Sequence, residues 1–147
     1  MMTAAVATPA DVETRFGTFP VAPADIVHFA TGVPGFEQCR RFVLVTASEL
    51  APFTCLHGID AGGPSFLTID PRLLVEGYDT PLGAAERARL AVAPSDPLLW
   101  LAVVHVDGAA ITANLRAPIV INPRRMVGLQ IMAAETAYAT DHRLTGE

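Results

Sequence analysis

The sequence contains no lysine, and all ten of its basic residues are arginines. Fifteen acidic residues outnumber them, giving a formal net charge of −5 at pH 7, with no run of basic residues anywhere. Nucleic-acid binding draws most of its affinity from phosphate neutralisation, so direct nucleic-acid binding is disfavoured. The charge suits a basic protein partner better. Cysteine is also scarce. Cys39 and Cys55 are sixteen positions apart with no C-x-x-C pair, which matches no metal framework and predicts free thiols, buried or half-buried. No apolar run approaches the ~20 residues that span a bilayer. Residues 1–10 lack a positive n-region, which argues against a secretory signal. They read as a disordered tail, and the cytoplasm is the expected compartment.

What is present is globular. At 147 residues, 51% hydrophobic and 17% charged, the chain is long enough for a core of its own, and residues 11–147 read as a single domain. Short apolar runs are broken at regular intervals by Gly, Pro and Asp, which predicts an antiparallel all-β sandwich or barrel. Strands are expected at Arg15–Phe19, ended by Pro20, at Ile26–Phe29 and at Phe42–Val45. Pro34 and Gly35 suit the central positions of a type II turn. A hairpin is expected from Phe53–Asp60 and Ser65–Asp70 around the loop 61–64. The run Leu98–Val106 is apolar on both alternating faces, so it should be a central strand covered on both sides, with Trp100 mostly buried. After a turn at Asp107-Gly108, strands are expected at Ile111–Leu115 and Pro118–Asn122. Met126–Met132 completes a last hairpin. Pro118 has no N–H for a ladder and so belongs at a strand start or on an edge. Asn122-Pro123 reads as a turn. One helix stands out: Thr80 as N-cap, Pro81 in the first position, then Leu82–Leu90, placed to plug an open barrel end.

Candidate chemistry is thin. His28, His57 and His105 lie in expected strands without H-x-H or H-x-x-x-H spacing, and His142 lies near the chain end. Cys55 and His57 share one face of a strand with Phe53 and Ile59, which reads as an apolar core face more readily than as a nucleophile and its base. No G-x-S-x-G elbow surrounds Ser48 or Ser65, and the glycines at 58, 62 and 63 form no phosphate-binding fingerprint. No catalytic residue, cofactor or metal site is assigned. The acidic residues Asp60, Asp70, Glu76, Asp79 and Asp107 fall at strand ends and loops, where binding residues concentrate on a rigid β-scaffold. Asp60, Asp70, Glu76 and Asp107, together with Asn114, are the candidate partner-binding residues.

Several segments, in order, resemble the FliW family of flagellar assembly factors. Phe29-Ala-Thr-Gly-Val-Pro-Gly-Phe-Glu37 followed by Arg41-Phe-Val-Leu44 resembles the pattern F-x-x-G-x-P-G-F-E…R-F. Ile69-Asp-Pro71 resembles a strand-ending I-D-P. Thr112-Ala-Asn-Leu115 with Ala117-Pro-Ile-Val-Ile-Asn122 resembles T-x-N-L-x-A-P-I-x-x-N, and Tyr138-x-Thr140-x-His142 resembles the family's tail. The matches span roughly residues 14–144. The chain departs from the pattern at Arg143, where a proline is common, and over the Ala/Pro-rich stretch 76–96. The resemblance implies a β-barrel-like fold with no enzymatic activity, to which the residues themselves add the one short helix. It also implies two protein partners. One is CsrA, a small basic RNA-binding dimer that represses translation of flagellin mRNA; the other is flagellin, and the two would exchange on one scaffold. The alternatives are an unrelated β-barrel protein-binding module and a hydrolase using Cys55 or a histidine.

Overall fold

The computed structural model describes residues 10–60, 63–132 and 137–144. It is mostly strand. A two-stranded ribbon, β1 (Ala10–Thr14) and β2 (Gly17–Val21), stands apart from a larger sheet. That sheet contains β3 (Ile26–His28), β4 (Arg41–Val45), β5 (Phe53–Gly58), β6 (Ser65–Ile69), β7 (Leu99–Asp107), β8 (Ala110–Asn122), β9 (Val127–Gln130) and β10 (His142–Arg143). Neighbours from β3 to β9 pair antiparallel in sequence order, and β9 returns to β3 through one parallel bridge, His28 with Val127. Seven strands thereby close into a barrel, which removes the unpaired edges an open sheet would leave. β8 is long enough to serve two neighbours on one side: β9 along its second half and β10 along its first.

Alternation along the strands sorts the core. Val27, Phe29, Phe42, Leu56, Leu101, Val103, Ile119 and Ile121 fill the barrel, with Leu44 and Phe66 packed against them. Phe29 and Phe42 meet edge to face at 5.0 Å between ring centroids, Phe42 stacks on Phe66 at 6.3 Å, and Phe66 meets the exposed Phe36 at 5.5 Å. Gly128 makes room for this string, because a Cβ there would collide with the Phe29 ring.

The outer faces are apolar too, and each is covered by a different piece of chain. The β1–β2 ribbon lays Val12, Phe16, Phe19 and Val21 over Val43, Val45 and Cys55. The segment after β6 packs Leu74, Val75 and Tyr78 over Ile69, Ala102, Val104, Ala113 and Leu115. A third segment, residues 82–98, sets Leu90 against Val120, Leu129 and Ile131. β7 therefore buries both its faces over Leu101–Val104, the middle of its continuous apolar run, whereas Leu99, His105 and Val106, expected to be covered as well, are exposed.

Several local expectations hold. Phe36 N–H donates to Val33 O at 2.7 Å and Gly35 has φ +90°, the signature of a type II turn with Pro34 at its first central position. The β5–β6 and β8–β9 hairpins form at the expected turns. Both cysteines are buried free thiols.

Others are corrected. The first hairpin turns at Arg15–Phe16, where a strand was expected, because the Thr14 hydroxyl donates to Gly17 O and accepts from Phe16 N–H. Ala10, expected in a tail, opens β1; residues 1–9 of that tail lie outside the described residues. β2 runs through Pro20, which a two-stranded ribbon with free edges tolerates. The helix α1 spans only Ala84–Arg89, with Gly83 as N-cap and the Glu86 carboxylate accepting from Gly83 N–H, while Thr80 instead donates to the Tyr78 hydroxyl. No residue of α1 is buried, so it plugs nothing; Leu90 just beyond it makes the contact. Trp100 is half-buried on the outer face, where it bridges two of the covers. Pro118 sits inside β8, which continues from 110 to 122. The ladder with β7 jumps from Val103–Asn114 to Leu101–Ile119, so residues 115–118 form a bulge in which no donor is demanded of Pro118.

Candidate partner-binding surface

The catalytic alternatives find little support in the geometry. Cys55 is fully buried under the β1–β2 ribbon, and burial pushes its thiol pKa up, away from thiolate reactivity. His57 Nδ1 lies 2.5 Å from Ser65 Oγ across the β5–β6 ladder. Ser65 Oγ also accepts from Arg15 N–H at 3.3 Å, which ties the ribbon's turn to the barrel. Burial lowers the His57 pKa. Among the described residues no carboxylate orients His57, and no three His, Cys, Asp or Glu side chains group as metal ligands. An open hollow of about 340 Å³ beside the β4–β5 connection is lined by Thr46, Ala47, Ser48, Ala51, Pro52, Phe53 and Thr54, none of them titratable at ordinary pH.

The five candidate binding residues divide into two kinds. Three are engaged within the chain. Asp60 Oδ2 accepts from the backbone N–H groups of Arg40 and Arg41, at 2.8 and 3.1 Å, and its Oδ1 pairs with the Arg41 guanidinium at 2.8 Å. The Arg40 N–H and then the Arg41 side chain hold its carboxyl below the ordinary range. Asp70 caps the 3-10 turn Pro71–Leu73 through Arg72 N–H and pairs with the Arg72 guanidinium at 2.8 Å. Burial pushes that carboxyl up, but the bonds from Arg72 outweigh it and the net shift is downward. Asn114 Oδ1 accepts from Arg116 and Ala117 N–H at 3.0 and 3.2 Å, closing the β8 bulge ahead of Pro118.

Glu76 and Asp107 are exposed, and among the described residues their carboxylates have no hydrogen-bond or ion-pair partner. The four acids do not share one place. Asp60 follows the end of β5 and Asp107 is the last residue of β7, at one end of the barrel, whereas Asp70 and Glu76 lie on the segment that leaves the other end of β6. Exposed apolar side chains accompany them: Leu73 near Glu76, and Val106 beside Asp107. Sequence reading did not single out Leu73, because a lone apolar residue near a turn carries no signal until its neighbours are known, and it placed Val106 at the end of a strand covered on both sides, where the side chain is instead exposed.

The model of the family described as "FliW protein" matches residues 11–144. The chain belongs to the FliW family. A flagellar assembly factor FliW of Moorella thermoacetica is 37% identical over 137 residues, covering 91% of this chain and 87% of its own. That of Geobacter sulfurreducens is 36% identical over 131 residues, covering 88% and 82%. A crystal structure of the flagellar assembly factor FliW superposes with a TM-score of 0.83 at 30% identity, covering 92% of this chain and 96% of the other. The all-β barrel with one short helix is thus the FliW fold. Among the described residues of this FliW-family chain, no helix is long and apolar enough to cross a membrane.

Proposed function

We propose that the chain is a cytoplasmic flagellar assembly factor that works by binding and not by catalysis, exchanging between a CsrA-type translational repressor and flagellin. Capture of the basic repressor frees flagellin mRNA. Accumulating flagellin takes the scaffold back, and free concentrations decide which partner is held. The observation that carries the reading is family membership over nearly the whole chain. The net charge of −5 supports a basic partner, and the unpaired carboxylates of Glu76 and Asp107 are the acids free to meet it.

Stopped-flow association with a CsrA-type protein tests this at several ionic strengths between about 0.1 and 1 M, over which the screening length falls from ~10 to ~3 Å. The association rate should fall with salt, and Glu76→Gln with Asp107→Asn should flatten that dependence. Single neutralisations should change affinity by no more than ~1 kcal/mol each. Added flagellin should release the repressor, and its own binding should respond less to salt if the contact is mainly apolar. A rate indifferent to salt removes the acidic contact. Failure to bind either protein removes the partner exchange.

A further inference from the structure

The outer edge of β8 over Ile111–Leu115 is occupied by the chain's own last described segment, Tyr138–Leu144. Among the described residues its backbone attachments to β8 are these. Leu115 N–H donates to Ala139 O at 2.9 Å, Leu144 N–H donates to Ile111 O at 3.0 Å, and between them His142 and Arg143 pair with Ala113 and Thr112. Two side chains anchor it. Tyr138 stacks on Tyr78 at 4.5 Å between ring centroids, and its hydroxyl accepts from Asp79 N–H at 2.9 Å. Leu144 packs at the other end, in the cluster that contains Ile111 and Ala113. Between the anchors, Ala139, Thr140, Asp141 and Arg143 are exposed.

The two sides of this contact differ greatly in how they are held. Ala113 and Leu115 are almost wholly buried, Leu115 O accepts from the Tyr78 hydroxyl at 2.7 Å, and β8 is laddered to β7 along its other edge. The edge is therefore held by β7 and by the Tyr78 hydroxyl in addition to the strap. The strap has a two-residue ladder and half-buried anchors. An edge so held and covered by a lightly held strand is a site for strand addition, in which main-chain bonds supply affinity and pockets for particular side chains supply selectivity.

We propose that the Ile111–Leu115 edge is a docking site for an extended segment of a protein partner, which displaces the Tyr138–Leu144 strap. The strap displays what such a segment must carry: an aromatic side chain with a hydroxyl to stack on Tyr78 and accept from Asp79 N–H, then an aliphatic side chain six positions later. The inference goes beyond the exchange proposed above and does not depend on the identity of either partner there.

The test uses the full chain and a fluorescein-labelled peptide of sequence Tyr-Ala-Thr-Asp-His-Arg-Leu, with a control carrying alanine at both ends. Tyr138→Ala with Leu144→Ala loosens the strap and leaves the edge intact. A strap closed about nine-tenths of the time weakens apparent affinity about tenfold, so with the strap loosened the peptide should bind the variant up to about tenfold more tightly than the parent chain, and the control peptide should bind neither. Bound peptide should slow amide exchange at Ala113 and Leu115. Equal binding to both chains, no binding to the variant, or dimerisation of the variant without peptide overturns the proposal. Native-state exchange on the unaltered chain gives a second reading that does not depend on how the variant folds. The Leu115 and Leu144 amides should exchange by a local opening well before the β7 amides do, and exchange together with Ala102 and Val103 would show that the strap never leaves without the barrel unfolding.

Discussion

Replacing Asn122 by alanine should destabilise this protein by about 2–4 kcal/mol. Its side chain is fully buried at the end of β8. Nδ2 donates to Leu90 O at 2.8 Å and more weakly to Ala91 O at 3.4 Å, while Oδ1 accepts from Arg124 N–H at 3.1 Å. One amide thus joins the β8–β9 hairpin to the chain that covers its outer face. Alanine removes an ordinary hydrogen bond at the turn, worth about 1 kcal/mol, and strands the carbonyl of the buried Leu90, which costs about 1–3 kcal/mol. Against a total stability of about 5–15 kcal/mol the loss is large, and at this chain length it lowers the melting temperature by roughly 2–4 °C per kcal/mol. Asn122→Asp sharpens the test. At neutral pH the introduced carboxylate cannot donate to Leu90 O, and it stands beside Asp96, whose Oδ2 lies 3.5 Å from Nδ2 in the parent chain. Its folded pKa is thereby raised, so the variant should recover stability as pH falls through that raised value and the protonated group donates again. Urea unfolding followed by the fluorescence of Trp100, the one tryptophan, and by far-UV circular dichroism reads both variants. An Asn122→Ala protein that unfolds at the parent's urea midpoint with an unchanged slope, or an Asn122→Asp protein whose deficit relative to the parent is as large at pH 4 as at pH 8, refutes this role for Asn122.

Asn114→Ala should cost about 1–2 kcal/mol by opening the β8 bulge and leave partner affinity per folded molecule unchanged; intact stability with weakened binding would instead make Asn114 a contact residue. Trp100→Ala should cost about 2–3 kcal/mol, less than a fully buried tryptophan, because the ring is half-buried between two outer covers. An unchanged melting temperature would show that these covers are not held through it. The folded pKa values of Asp60 and Asp70 lie below the ordinary carboxylate value. Their contribution is therefore full above the unfolded value of about 4 and lost as pH falls through the lower folded values. Asp60→Asn should flatten the acid limb of a plot of urea midpoint against pH, and an identical limb would remove the Asp60 clamp from the account.

Much of the barrel is legible in the sequence because its turns are written in residues with one mechanism each. Pro34-Gly35, Asn122-Pro123 and Asp107-Gly108 place three reversals, and the doubly apolar Leu98–Val106 run marks a strand whose middle, Leu101–Val104, is covered on both sides. Where reading fails, the deciding interaction is distant. The single parallel bridge between β3 and β9 joins residues nearly a hundred positions apart, and β10 has two residues, too few for any periodicity. The β8 bulge hides a continuous strand as two, since Pro118 reads as a boundary until its backbone is seen to need no donor. The late start of α1 follows from Glu86 reaching Gly83 N–H, a choice between two plausible caps that composition does not make.

The binding residues were harder for a related reason. The segments that carry the resemblance are spent on the fold. Phe29 and Phe42 are the aromatic centre of the barrel, and the Glu37 carboxylate accepts from Gly35 N–H to hold the type II turn. Asp70 caps the turn after β6, Asn114 closes the bulge, Asn122 joins two layers and Tyr138 pins the last strand. A motif built of such residues identifies the family because it specifies the scaffold, and for the same reason it points away from the surface that a partner touches. The partner surface proposed above is therefore sought among side chains the barrel does not use. Glu76 and Asp107 meet that condition, as do the exposed Leu73 and Val106. Substitutions at these positions should leave folding almost untouched, within about 0.5 kcal/mol, and change binding alone. That separation is the opposite of what Asn114 and Asn122 should show, and it is what distinguishes a contact residue from a scaffold residue in this fold.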